Sequence, residues 1–128
     1  MGSNLQVISF EEMKKISDEF ASDPSKNVIL DVRSPSEYGA GHVPGAVNIP
    51  VDTVAEAFSL PPSEFSSKFK FALPAKKSVD PASPNIVVYC QAGMRASRAA
   101  DALSHLGYTE NLLVYSKGYS EYGPKSGH

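Results

Sequence analysis

Apolar runs and helical stripes alternate along this chain. Residues 5–9 read as a short edge strand. Ser9 then caps a helix, with Glu12 three places on completing a capping box. Phe10, Met13, Ile16 and Phe20 share one face of it, Lys14, Lys15, Asp18 and Glu19 the other, and Asp23-Pro24-Ser25 ends it. Residues 28–32 form an unbroken apolar run, the mark of a strand buried on both faces. Ser34-Pro35-Ser36-Glu37 is a second capping box, and Gly39 and Gly41 keep its helix short. A turn at His42-Val43-Pro44-Gly45 leads to a short strand over 46–49. Asp52 or Thr53 caps a helix carrying Val54, Ala57 and Phe58. Pro61-Pro62-Ser63-Glu64 starts another, with Phe65 and Phe69 on its inner side.

Residues 73–84 carry Pro74, Pro81 and Pro84 and no period, so they read as a long loop. Its place just before the next strand suggests that it overhangs the site. That strand, 85–89, reads as the central one. A helix from Arg95 to about Leu106 follows, buried along Ala96, Ala99, Ala100, Leu103 and Leu106, with Gly107 as its C′ residue. A strand at 112–115 and a short helix around Tyr122 complete the pattern, and Gly123-Pro124 is expected to end regular structure. Strands alternating with helices predict an α/β domain whose mainly parallel sheet carries helices on both faces. The domain is expected over 5–123, with flexible tails at 1–4 and 124–128.

Bulk properties narrow the function. The 128 residues fit one domain, and 41% hydrophobic with 20% charged residues is ordinary for a globular chain. A net charge of -2 with scattered basic residues gives no footprint for nucleic acid. No apolar run reaches the length of a membrane span. The single cysteine, Cys90, excludes an internal disulfide and suits a reducing compartment. The first residues lack the core of a signal peptide and the arginines of a mitochondrial presequence. The expected location is therefore the cytoplasm, with mitochondria as the alternative if the N-terminus has been trimmed.

Cys90 is the candidate nucleophile. It stands where the buried strand stops, at the end of a parallel sheet where ligands bind. A thiolate rather than a thiol is reactive, and a helix N-terminus or a nearby cation favours it. The loop Cys90-Gln91-Ala92-Gly93-Met94-Arg95 supplies both. Backbone N–H groups of residues 91–94 can form an anion-binding nest, Gly93 permits a positive φ, and Arg95 adds a charge. The competing reading is a buried structural cysteine at a strand end.

Three segments carry a resemblance. Asp31-Val32-Arg33-Ser34-Pro35-Ser36-Glu37-Tyr38, running through Gly41-His42-Val43-Pro44-Gly45-Ala46 to Pro50, resembles the first signature of the rhodanese family. The loop from Cys90 to Arg95 resembles its active-site loop. Lys117-Gly118-Tyr119 with Tyr122 resembles its C-terminal signature, with Lys117 in place of a glycine and Tyr122 in place of a tryptophan. Gln91 and the insert 58–84 look most like the small thiosulfate:glutathione sulfurtransferases.

The resemblance implies a rhodanese-like fold and a sulfurtransferase. Cys90 takes the outer sulfur of thiosulfate as a persulfide, and a thiol such as glutathione, or cyanide in the test tube, removes it. No cofactor is expected, and one cysteine with three scattered histidines makes no metal site. Gln91, Ala92, Gly93, Met94 and Arg95 would bind the donor, and Asp31 and Arg33 would be structural supports beside the site. Lys117 is either a second cation at the entrance or a solvated turn residue. The alternatives are a phosphatase or arsenate reductase on the same fold, and a non-catalytic binding module. Four residues between Cys90 and Arg95, rather than five, favour a sulfur atom over a tetrahedral phosphate. His42 suits a turn, Glu37 its capping box, and His105 a polar helix face. Phe58, Phe65, Phe69 and Phe71 either pack the insert or line an acceptor pocket.

Overall fold

The computed structural model describes residues 6–126. The expected tail 1–4, Leu5 and residues 127–128 lie outside that range. The expected edge strand begins as β1 (Gln6–Val7), and α1 (Phe10–Ser22) follows with the Ser9/Glu12 capping box formed. Next come β2 (Asn27–Asp31), α2 (Pro35–Ala40) and β3 (Val47–Asn48). A 3-10 turn (Val51–Thr53) runs into α3 (Val54–Ala57), then α4 (Pro62–Phe69). The order ends with β4 (Asn85–Tyr89), α5 (Met94–His105), β5 (Leu112–Tyr115) and α6 (Tyr119–Ser126).

The five strands form one parallel sheet in the order β1-β5-β4-β2-β3. The apolar runs of β2 and β4 are buried on both faces, as their lack of alternation predicts. Leu30, Val32, Ile86 and Val88 pack under α3, α4 and α5, together with Cys90. Ile29, Val87, Tyr89 and Tyr115 pack on the other face against Met13 of α1 and Tyr122 of α6. Ala96, Ala99, Ala100 and Leu103 are buried along α5, and these small side chains let it lie close on the sheet. Its C-terminus closes with Tyr108 N–H on the Leu103 carbonyl and Gly107 N–H on that of Ser104, the Schellman arrangement.

Three local expectations need correction. Thr53 stands at the N-cap of α3, but neither it nor Asp52 makes a side-chain capping bond. The chain enters that helix through the 3-10 turn, and Thr53 Oγ1 donates to the Pro50 carbonyl at 2.9 Å instead. Regular structure also continues past Gly123-Pro124 to Ser126. Proline forfeits the bond its N–H would make to Ser120, but buried Tyr122 and Gly123 hold the helix down and Lys125 reaches back to Glu121 at 3.2 Å.

The third correction concerns the loop 73–84. It is irregular, as expected, but it does not overhang Cys90. Tyr108, beyond the C-terminus of α5, donates its hydroxyl to the Pro74 carbonyl at 2.6 Å, and Asn111 holds the Pro84 carbonyl at 2.8 Å. The twelve residues of α5 separate this end from the cysteine, about 18 Å at the helical rise. Phe65 packs on Phe58, Phe69 and Phe71 at ring separations of 5.4, 4.8 and 5.1 Å, and Phe58 on Tyr108 at 5.6 Å. The four phenylalanines therefore pack the insert at the far end of the sheet.

Candidate active site

Strand β4 ends at Tyr89 and α5 begins at Met94, so the turn from Cys90 to Gly93 lies between the two innermost elements of the fold. Cys90 is 1% exposed. Its Sγ accepts the N–H of Gly93 at 3.0 Å and that of Ala96 at 3.3 Å. These are amides of the unpaired first turn of α5, where the helix dipole is positive. Two backbone donors on one sulfur make a cradle for an anion there.

The loop can aim its amides inward because α6 takes its carbonyls. Tyr119 N–H donates to the Cys90 carbonyl at 2.8 Å and Ser120 N–H to that of Gln91 at 3.0 Å. Such close approach needs Gly118, where a Cβ would strike the Cys90 and Gln91 carbonyls. Gly93 is required twice over. Its φ of 110° is left-handed, and a Cβ would lie 2.7 Å from the Ser116 carbonyl oxygen. Lys117 is an exposed turn residue whose charge acts on Glu121. Among the described residues no hydrogen bond or ion pair joins its side chain to the loop, which favours the turn reading of Lys117.

Asp31 and Arg33 form a buried pair under the loop, 0% and 3% exposed. Arg33 Nη2 meets Asp31 Oδ2 at 2.7 Å and Nε meets Oδ1 at 3.0 Å. Tyr89 donates its hydroxyl to Asp31 Oδ2 at 2.7 Å and accepts Val43 N–H at 3.0 Å. Burial and the Asp31 charge push the Tyr89 hydroxyl far above its usual range, so it stays a donor. Arg33 spends its other protons on the Gly41 carbonyl at 2.6 Å and on Gln91 Oε1 at 3.2 Å, and Tyr119 lies 4.6 Å from its guanidinium carbon. The pair thus does more than close the sheet end: it ties the second loop residue to the β2–α2 junction. His42 stabilises its turn as expected, with Nδ1 2.9 Å from the Tyr38 carbonyl and its ring stacked on Tyr38.

Arg95 lies at the mouth in a bidentate fork on Glu37, Nη1 to Oε1 at 2.7 Å and Nη2 to Oε2 at 3.0 Å. Glu37 also performs the capping role expected of it, accepting the N–H and hydroxyl of Ser34, each at 3.0 Å. The Arg95 fork and the Ser34 N–H hold the Glu37 carboxyl down at about 2, and the same fork raises Arg95. This second partner of Glu37 was not expected. The hint in the sequence is that an arginine in the first turn of α5 opposes the helix dipole and needs a counter-ion. Met94 is 82% exposed, Ala92 is exposed and Gln91 half-buried, so the loop residues present a mixed rim around a buried sulfur.

The model of the rhodanese-like domain family matches residues 9–125. The chain belongs to the rhodanese family. The chain spans about three quarters of the length of the curated relatives it matches. A thiosulfate:glutathione sulfurtransferase of Saccharomyces cerevisiae is 35% identical over 111 residues, covering 87% of this chain and 73% of that one. A mitochondrial thiosulfate sulfurtransferase of the same yeast is 30% identical over 122 residues, covering 95% and 75%. The human single-domain sulfurtransferase structure superposes with a TM-score of 0.75 at 28% identity, covering 93% of this chain and 96% of that chain. The parallel α/β fold expected from the pattern is the fold of these rhodanese neighbours.

Proposed function

We propose that this rhodanese is a thiosulfate sulfurtransferase that carries sulfur as a persulfide on Cys90. The observation that carries the reading is the pair of amides, Gly93 and Ala96, on Sγ in a loop whose carbonyls face away. They donate to Sγ before attack and offset the charge that develops on sulfur during transfer. The thiolate attacks the outer sulfur of thiosulfate. A Cys90 S–S bond forms, the S–S bond of thiosulfate breaks, and sulfite leaves with the electron pair. An acceptor thiolate then attacks the outer persulfide sulfur and the Cys90 thiolate is expelled. Such double displacement gives ping-pong kinetics.

Gln91, Ala92, Gly93, Met94 and Arg95 form the donor site in this reading, with Asp31 and Arg33 as its supports. Glutathione is the acceptor class suggested by the yeast relative of that name, and cyanide would serve in vitro. A single cysteine leaves no resolving thiol within the chain, so the acceptor comes from outside. A reducing compartment, cytoplasmic or mitochondrial, suits such a thiol. Among the described residues no helix is long and apolar enough to cross a membrane.

Intact mass spectrometry after incubation with thiosulfate tests the proposal. Wild type should gain one sulfur atom and lose it on addition of glutathione or cyanide, and Cys90→Ser should gain none. Hydrolysis of an aryl phosphate without any sulfur gain would instead support the phosphatase reading.

A further inference from the structure

The chain has three arginines, and each is answered by a carboxylate. Arg33 is paired with Asp31 at 2.7 Å, Arg95 with Glu37 at 2.7 Å and Arg98 with Asp52 at 3.5 Å. The anion cradle at Cys90 is therefore built from backbone amides, with the arginine charges compensated. Arg95 lies within electrostatic reach of Cys90, so its compensation matters most there. Its two terminal nitrogens are both committed to Glu37, the geometry with which a guanidinium otherwise grips an oxyanion. Glu37 cannot easily yield, because Ser34 holds it from behind through the capping box.

We infer that Glu37 is a specificity-determining residue of this site. By answering the Arg95 charge it keeps the affinity for oxyanions low, so sulfate, phosphate and product sulfite do not occupy the mouth. A donor is then selected by the reactivity of its outer sulfur, not by its charge. The inference rests on the sulfurtransferase reading for its purpose, but the anion affinity it concerns is measurable without any sulfur transfer.

The test uses the full chain and asks how well inorganic sulfate protects Cys90 from alkylation by iodoacetamide. Glu37→Gln is the informative variant, because glutamine at this helix position still completes a capping box while losing the charge. Sulfate should protect the variant about two- to fivefold more tightly than wild type, the range for one partly exposed charge pair. The KM for thiosulfate should fall by a similar factor and depend more steeply on ionic strength. In an Arg95→Met background, which leaves Glu37 unanswered, adding Glu37→Gln should again lower the thiosulfate KM. A merely structural Glu37 would move none of these readouts together. Unchanged or weaker sulfate protection in Glu37→Gln overturns the inference. If that variant does not fold, wild type decides: half-protection should need more than roughly 10 mM sulfate, and a value below about 1 mM would overturn the inference. Failure to form a persulfide would overturn the sulfurtransferase reading and leave this measurement intact.

Discussion

Gly93 is the residue on which the sulfur cradle turns. Its N–H is the shorter of the two bonds to Sγ, and the φ of 110° is what aims that N–H inward. An L side chain meets two obstacles there, the left-handed backbone and the Ser116 carbonyl oxygen 2.7 Å from its Cβ. Gly93→Ala should therefore cost about 1–3 kcal/mol of stability from backbone strain. Persulfide formation should also slow by about 10²-fold, the scale for losing one aimed donor. Denaturant titration and the rate of sulfur gain by mass spectrometry measure the two effects separately. A variant that loses stability but loads sulfur at the wild-type rate would show that the Gly93 amide does not act on the sulfur.

The short helix α2 carries more of the site than its six residues suggest. Both its capping box and that of α1 were legible in the sequence, because serine and glutamate three apart is a local signal. The Arg95 fork was not legible, since its partners are 58 positions apart and no periodicity links them. Asp52, Thr53 and Pro124 show the opposite failure. Local rules placed a cap and a stop there, and packing of Val54, Ala57 and Tyr122 overrode them. The fork also makes α2 acid-sensitive in a defined direction. The Glu37 carboxyl has an ordinary value of 4.5 and is lowered to about 2 in the fold. Between these values the unfolded chain binds the proton and the folded chain does not, so stability falls as pH falls through this window. Glu37 is 35% exposed, so screening keeps the effect modest. Urea midpoints followed from pH 4.5 down towards 2 should drop less in Glu37→Gln than in wild type. Parallel profiles would mean that the fork contributes nothing to folding.

At the scale of the molecule, parallel order divides the chain into two ends with different work. Segments that leave strands gather at the Cys90 end, and segments that enter strands gather at the other. The loop 73–84 enters β4, so the sheet's polarity already implied that it lies away from Cys90, although its place just before that strand suggested that it overhangs the site. The same polarity places the phenylalanine insert against Tyr108, and this decides between its two readings. Phe65 is fully buried among Phe58, Phe69 and Phe71. Phe65→Ala should destabilise the protein by about 3–5 kcal/mol, the usual range for an emptied aromatic site. The KM for the thiol acceptor should stay at the wild-type value below the melting transition, because in the proposed reaction the acceptor meets a Cys90 persulfide about 18 Å away, at the other end of α5. Equilibrium unfolding and steady-state kinetics with glutathione measure the two quantities. A raised acceptor KM in a folded variant would mean that the insert shapes acceptor binding after all, and that the two ends of the sheet are coupled through α5.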